Sequence, residues 1–197
     1  MTKTPHVICR DAPLRIVLVG AESCGKTTLA KQLAGHYQSW WVPEYWRYYW
    51  EARHLASSAA LTSEEFIHVA EMQILIERHY GKKSETLIFI DTDTFMTSIW
   101  HYRYQRHDSP ILESIWKKSH RDLVLFCTDE IPFVQDGTRD GEMIRSEMNR
   151  WIEEKLMQES VPYIKISGSI GERFTVAKNS IDELFHRRAI PSQGSAS

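Results

Sequence analysis

The residues whose types and spacing point most directly to chemistry are residues 20–27, which read Gly-Ala-Glu-Ser-Cys-Gly-Lys-Thr. They fit the pattern G-x-x-x-x-G-K-[ST], a loop that wraps the phosphates of a nucleotide. Gly20 and Gly25 allow the backbone to turn with positive φ and to bring its N–H groups close to an anion. Lys26 would place a positive charge near the β- and γ-phosphate oxygens, and the Thr27 hydroxyl would be a ligand for Mg²⁺.

The residues on either side of this loop have the pattern that it requires. An apolar, β-branched run at residues 14–19 predicts a buried parallel strand, and apolar residues at helical spacing after Thr27 predict a helix. The alternative is a glycine-rich turn that binds nothing, but strand, loop and helix in this order favour phosphate binding. The predicted nucleotide contacts here are Gly20, Glu22, Ser23, Cys24, Gly25, Lys26, Thr27 and Thr28.

Three carboxylates lie just after predicted strands. Asp91 ends the apolar run 87–91, where phosphate-loop proteins keep a second Mg²⁺ ligand, and Asp93 follows two residues later. Glu44 follows a short strand, and a carboxylate there can take the proton of an attacking hydroxyl or hold a ribose. The alternatives are a helix cap for the aspartates and, for Glu44, a surface position or an ion pair with Arg47.

Aromatic side chains crowd around Glu44. Trp41, Tyr45 and Trp46 are candidates to stack on a flat, cationic or neutral heteroaromatic ring of a substrate. The alternative for each of them is core packing, and the sequence does not decide which one stacks.

Arginines lie on and after a turn-rich segment at residues 136–141. An arginine fork matches the geometry of phosphate, and mobile arginines often close over a transferring phosphoryl group. We expect Arg139 to act in this way and assign Arg150 to an exposed helix face. Arg145 stays open between these two interpretations, with a nucleotide contact as the prediction to test.

These residues must be positioned by alternating strands and helices, which indicate an α/β fold with a parallel sheet covered on both faces. Ligands bind beyond the carboxyl ends of the strands in such folds. The phosphate loop, Glu44, Asp91 and the segment after Thr128 should therefore converge on one cleft. Strands are predicted at about residues 14–19, 39–42, 87–91, 122–128 and 161–166.

Composition narrows the class of protein. The 197 residues suit one domain, and the net charge of −2 argues against nucleic-acid binding by bulk charge. Three widely spaced cysteines give neither a disulfide framework nor a metal site, which suits a reducing cytoplasm. Because we find no signal-peptide pattern and no membrane-length apolar run, we expect a cytoplasmic protein that acts on a small molecule. Its oligomeric state is left open.

The domain organisation that we predict is simple. Residues 1–13 form a lead-in, and residues 14–188 form a single domain with a lid at about 132–150. Residues 189–197 are polar and are expected to be a disordered tail.

Several stretches together resemble the ribosylnicotinamide kinase domain of NadR-type proteins, a branch of the P-loop nucleoside/nucleotide kinase-like fold. The stretches are residues 20–28, 43–47 (Pro-Glu-Tyr-Trp-Arg), 89–93 (Phe-Ile-Asp-Thr-Asp), 122–125 (Asp-Leu-Val-Leu) and 133–139 (Phe-Val-Gln-Asp-Gly-Thr-Arg). The resemblance implies a three-layer sandwich with a five-stranded parallel sheet in the order 2-3-1-4-5 and a helical lid. It also implies phosphorylation of the ribose 5′-hydroxyl of nicotinamide riboside, with ATP and Mg²⁺ as cofactors.

The same resemblance assigns roles residue by residue. Lys26 and Thr27 serve the phosphates and Mg²⁺, and Asp91 lies where the metal and the substrate hydroxyl bind. The other assigned positions are Glu44 and Arg47 on the substrate side, Arg139 in the lid, and Gly168 and Arg173 near the adenine. The predicted catalytic residues are thus Lys26, Asp91, Glu44 and Arg139. The further predicted substrate contacts are Tyr45, Trp46, Trp41 and Asp93. The general base is left open between Asp91 and Glu44.

The sequence also departs from these relatives. NadR joins the kinase to an adenylyltransferase domain and often to a DNA-binding domain, whereas only about 13 residues precede the first strand here and no H-x-G-H signature occurs. We therefore expect a free-standing kinase that does not itself complete NAD. Trp46 stands where relatives usually have a small residue, so the shape of the substrate pocket should differ.

Two other functions fit the same loop. A deoxynucleoside or nucleotide kinase shares both loop and fold, and an acceptor panel distinguishes it. A regulatory switch that hydrolyses ATP slowly is the second rival, although the guanine-reading N-K-x-D tetrapeptide is missing and the aromatic cluster indicates a flat small ligand.

Overall fold

The computed structural model describes residues 12–56, 59–133 and 142–189. Within these ranges the chain forms five strands and seven helices that alternate as the sequence predicts. The elements are β1 (Leu14–Val19), α1 (Lys26–His36), β2 (Trp40–Val42), α2 (Tyr45–Ala56), α3 (Ser63–Gly81), β3 (Leu87–Asp91), α4 (Thr94–Gln105), α5 (Pro110–Lys118), β4 (Leu123–Cys127), α6 (Glu142–Gln158), β5 (Ile164–Ile166) and α7 (Ile170–Ala189).

The five strands form one parallel sheet in the order β2-β3-β1-β4-β5. The fold class and the strand order that the resemblance implied are therefore confirmed. Helices cover both sides of the sheet, so the central strands are mostly apolar on both faces. Every residue of β3 is buried. Phe89 of β3 and Phe126 of β4 are among the largest fully buried side chains.

The register of the sheet aligns the carboxyl ends of the central strands. Leu18 of β1 pairs with Asp91 of β3, and Val19 pairs with Phe126 of β4. The phosphate loop after β1, Glu44 after β2 and Thr92 after β3 consequently leave the same edge of the sheet. The convergence expected from the sequence follows directly from this pairing.

Helix boundaries follow local capping. The side chain of Thr62 accepts from the backbone N–H of Glu65, and the Glu65 carboxylate accepts from the Thr62 N–H at 2.8 Å, which makes a capping box at the start of α3. Helices α4 and α5 are separate because Ser109 caps a new helix that begins at Pro110. No helix in the described ranges is long and apolar enough to cross a membrane.

Two ion pairs whose side chains are largely buried join separate elements of the fold. Arg15 of β1 binds Glu77 of α3, and burial raises the pKa of Glu77 to about 7 although Arg15 opposes the shift. Arg121, just before β4, donates to the carboxylate of Asp93 at 2.5 Å. The first pair thus links β1 to α3, and the second links the start of α4 to the segment just before β4.

Candidate active site

The loop at residues 20–25 has the backbone that phosphate binding requires. Gly20 and Gly25 have φ values of 144° and 76°, and Ser23 also has a positive φ, at 54°. A Cβ atom on Gly20 would lie 2.5 Å from the backbone carbonyl oxygen of Cys127, so only glycine fits against the end of β4. Gly25 precedes α1, whose first N–H groups are left for an anion.

Lys26 and Thr27 begin α1 and face the centre of the site. The Lys26 ammonium donates to the carbonyl oxygens of Gly20 and Ala21 at 2.9 and 2.7 Å, which holds the charge over the loop. The Thr27 hydroxyl donates to Asp91 Oδ2 at 2.5 Å. Asp91 Oδ1 has no hydrogen-bond partner among the described residues. A hydroxyl and a carboxylate with a spare oxygen are the hard ligands that Mg²⁺ prefers.

Two carboxyl groups share this edge of the sheet with Lys26. The pKa of Glu44 is raised to about 7, chiefly by desolvation; nearby Asp91 contributes to the rise, whereas Lys26 opposes it. Burial also raises the pKa of Asp91, against the opposing effects of Lys26 and the Thr27 hydroxyl. A carboxyl that titrates near neutral pH is suited to proton transfer.

A cavity of about 240 Å³ opens beside the phosphate loop. Its walls include Trp46, whose ring stacks on Trp50 and Phe66 with centroid distances of 5.9 and 5.1 Å. The predicted site residues that line it are Glu22, Ser23, Cys24, Gly25, Lys26, Thr27, Thr28, Glu44, Trp46 and Arg47. The structure thus brings the predicted phosphate-binding residues and part of the predicted acceptor side to one cavity.

Asp93 does not line this cavity. Its Oδ1 accepts from the N–H of Phe95 at 3.1 Å, so it caps α4, and its Oδ2 binds Arg121. This is the helix-cap interpretation that the sequence left open. A contact between Asp93 and substrate stays a prediction. The Asp93 carboxylate would have to bind the substrate in addition to the Phe95 N–H and Arg121.

Tyr45 and Trp41 also lie outside the residues that line the cavity. The Tyr45 ring packs against Tyr49 and His68, and its backbone N–H donates to Gln73 Oε1 at 2.8 Å. Lys31 lies 4.3 Å from the centroid of the Trp41 ring. Substrate contacts by these two residues remain predictions.

Arg173 is a buried cross-link beneath the loop. Its guanidinium donates to the carbonyl oxygens of Cys24, Thr128 and Gly168, at 3.1, 3.0 and 2.7 Å, and to the Thr128 hydroxyl at 3.1 Å. The side chain therefore joins the phosphate loop to the ends of β4 and β5. The N–H of Gly168 donates to Glu130 at 2.6 Å. Contacts of Gly168 and Arg173 with adenine stay predictions.

Helix α6 binds the phosphate loop from the other side. Arg145 is buried and donates to the carbonyl oxygens of Ile131 and Ser23 at 2.8 and 3.4 Å. Arg139 lies outside the described residues, as does much of the predicted lid, so its phosphate contact stays a prediction. Arg150 is exposed on α6, which agrees with the charged-face interpretation.

Several residues of the site were not predicted from the sequence. Asn149 Oδ1 accepts from the backbone N–H of Ala21 at 2.9 Å, a contact between residues 128 positions apart that no local pattern signals. Met96 and Trp100 lie one helical turn apart on α4, the helix that follows Asp91. Large apolar residues at that spacing, soon after a strand-end carboxylate, are a sequence signal that could have placed both residues in the site. The lining residues not predicted as site residues are Trp50, Thr92, Met96, Trp100, Ile131 and Pro132.

The sheet order and the phosphate loop after the central strand define the class: a P-loop protein with the nucleoside and nucleotide kinase fold. Residues 15–173 match the AAA domain family, and the chain belongs to that family.

Known proteins similar to this chain include NadR. The trifunctional NAD biosynthesis/regulator protein NadR of Escherichia coli K12 is 24% identical over 153 residues, which are 77% of this chain and 37% of NadR. A crystal structure of NadR in complex with NR has a TM-score of 0.72 at 19% identity and covers 92% of this chain and 54% of that chain. The chain therefore spans about a third of the curated relative and half of the solved one.

Two further structures share the fold. NadR in complex with NAD and AMP-PNP has a TM-score of 0.65 at 17% identity, covering 88% of this chain and 50% of that chain. Thymidylate kinase from Ehrlichia chaffeensis has a TM-score of 0.58 at 16% identity, covering 87% of this chain and 98% of that chain.

The close packing of Gly20 leads to a prediction about the loop. In Gly20→Ala the new methyl group meets the Cys127 carbonyl, so the loop must shift, and we expect the free energy of unfolding to fall by about 1–3 kcal/mol. ATP binding measured by calorimetry should weaken at least tenfold.

The matched control is Gly35→Ala, in helix α1, where no described atom lies within 4 Å of the new Cβ. Alanine there should stabilise the helix by about 0.5–1 kcal/mol and leave ATP binding unchanged. Equal stability and equal ATP affinity of the Gly20→Ala variant and the wild type would contradict the proposed loop packing.

Proposed function

We propose that the chain is an ATP-dependent kinase whose acceptor is nicotinamide riboside, phosphorylated on the ribose 5′-hydroxyl to give nicotinamide mononucleotide. The observation that carries the proposal is that one cavity is lined both by the phosphate loop and by Glu44 with three tryptophans, Trp46, Trp50 and Trp100. A kinase needs both substrates in contact within such a space. The similarity to NadR, whose solved structure holds NR, supports this choice of acceptor.

The nucleotide side of the cavity suits a triphosphate. Lys26 and the N–H groups at the start of α1 would neutralise the β- and γ-phosphates, and Asn149 and Arg145 keep the loop in place from α6. The relative solved with AMP-PNP supports ATP as the donor. Arg139 would add a further charge from the lid.

Thr27 and Asp91 are the residues that would hold Mg²⁺. Their oxygens already lie together, and the unpartnered Asp91 Oδ1 is a ligand atom to spare. When bound, the ion would neutralise charge on the phosphate oxygens of the nucleotide.

Glu44 is the residue that we assign as general base. It lines the cavity, and its raised pKa allows it to accept the proton of the acceptor hydroxyl at neutral pH. Asp91 is the weaker candidate because its Oδ2 already accepts from Thr27 and its oxygens are needed for the metal. Trp46 and Trp100 would flank the ring of the acceptor, and the Glu22 and Glu44 carboxylates favour a cationic ring.

An acceptor panel tests the proposed function. The chain is incubated with ATP and each of nicotinamide riboside, thymidine, cytidine, adenosine and thymidine monophosphate, and products are read by mass spectrometry. We expect nicotinamide riboside to give the highest kcat/KM. Lys26→Ala should lower it by about 10² or more because the phosphates lose their fixed cation, whereas Lys118→Ala, on the exposed end of α5, should not change it.

Other outcomes of the panel would contradict the proposal. Preference for thymidine, cytidine or thymidine monophosphate would make the chain a deoxynucleoside or nucleotide kinase. ATP hydrolysis that no acceptor stimulates would favour the regulatory switch.

The pKa of Glu44 gives a second prediction. Below pH 7 the carboxyl is protonated and cannot take a proton, so kcat/KM for the acceptor should rise up to tenfold per pH unit and level off above about pH 7. Glu44→Gln should lower kcat/KM by about 10² and remove this rise. The profile is measured from pH 5.5 to 8.5 with initial rates. An unchanged rise in Glu44→Gln would assign the base to another group.

A further inference from the structure

Thr92 has an unusual backbone conformation at the edge of the proposed site. It follows β3, lies between Asp91 and Asp93, and has a φ of 68°. Positive φ is rare for β-branched residues, whose side chain then crowds the backbone. Its N–H donates to the Leu18 carbonyl at 3.1 Å, so the strained conformation is fixed by the end of β1. Glycine or asparagine would adopt this conformation with less strain.

The Thr92 hydroxyl is buried and unpaired. The residue is 4% exposed, and its Oγ1 has no hydrogen-bond partner among the described residues. Buried polar groups in folded proteins almost always have a partner, so an unpaired one points to a ligand. The cap of α4 does not account for the hydroxyl, because Asp93 supplies that cap.

The position of Thr92 indicates what this ligand group is. Thr92 lines the main cavity and also a recess of about 10 Å³, which Glu44, Trp46 and Trp100 line as well. That space is about the size of a single water-sized group, too small for a ring. A hydroxyl group fits it by size. It also fits by chemistry, because a hydroxyl both donates and accepts hydrogen bonds and can therefore pair with a threonine hydroxyl.

We propose that Thr92 is a substrate-binding residue whose hydroxyl pairs with a ring hydroxyl of the acceptor sugar, at a position other than the one that is phosphorylated. The inference rests on the proposed function, since it needs a riboside in the main cavity. It adds to that function a selection for ribosides over deoxyribosides. The fixed backbone of Thr92 would hold its hydroxyl beside the sugar.

The test compares substitutions at Thr92 with deletions on the substrate. Thr92→Val keeps the shape and removes the hydroxyl, and Thr92→Ser keeps the hydroxyl. Each variant and the wild type are assayed with nicotinamide riboside and its 2′-deoxy and 3′-deoxy analogues. Thr175→Val is the matched control, because Thr175 is an exposed residue of α7 whose hydroxyl only contacts its own helix.

We expect Thr92→Val to lower kcat/KM for nicotinamide riboside by about 10- to 100-fold, as for a lost buried hydrogen bond, with KM for ATP unchanged. Thr92→Ser should stay within about threefold of the wild type, and Thr175→Val should not differ from it. With the analogue that lacks the paired hydroxyl, wild type and Thr92→Val should have the same kcat/KM. The melting temperature of Thr92→Val should not fall, because the substitution removes an unpaired buried hydroxyl.

Two results would overturn the inference while leaving riboside kinase activity intact. One is wild-type kcat/KM of Thr92→Val with all three acceptors. The other is an equal loss with all three, accompanied by a lower melting temperature, since that would make Thr92 a structural residue. Failure of the wild type to phosphorylate any riboside would instead reject the proposed function, and the role of Thr92 with it.

Discussion

The contact on which the rest of this structure depends is the packing of the phosphate loop against the end of β4. Gly20 lies so close to the Cys127 carbonyl that no side chain fits, and the buried guanidinium of Arg173 binds Cys24, Thr128 and Gly168 together. The loop amides are thereby fixed before any phosphate arrives. A preorganised site loses little conformational freedom on binding, which is the condition for electrostatic stabilisation of a transferring group.

The charges of the proposed site are brought together by the register of the sheet. Parallel strands in register bring Glu44 and Asp91 to the edge of the sheet where Lys26 lies, so two carboxyl groups with raised pKa values lie near the Lys26 and Arg47 cations, which oppose the rise. Their division of labour then follows from their contacts. Asp91 is engaged by the Thr27 hydroxyl, whereas Glu44 lines the open cavity. Thr92, with its positive φ and its unpaired buried hydroxyl, lies at the same edge of the sheet.

Much of this arrangement could be predicted from the sequence, and the reasons are local. The phosphate loop, the buried strand ending in Asp91 and the capping box at Thr62 are each encoded within a few neighbouring residues. The order of the strands came from resemblance to a family, because strand patterns alone do not specify which strands are neighbours. The cap that Asp93 makes is local and was one of two interpretations of the sequence, whereas its bond to Arg121, 28 residues away, depends on the tertiary fold. Asn149 and Arg173 reach the loop from 128 and 149 residues away, and no periodicity indicates such contacts.

The most direct test of the central claim is a crystal structure of the chain with Mg²⁺, AMP-PNP and nicotinamide riboside. We expect the triphosphate to lie along the loop amides beside Lys26, with Mg²⁺ on Thr27 and Asp91. We also expect the riboside to lie between Glu44 and Trp46, with its 5′-hydroxyl directed at the γ-phosphate. A nucleotide bound away from residues 20–27, or a riboside on a different surface, would contradict the central claim.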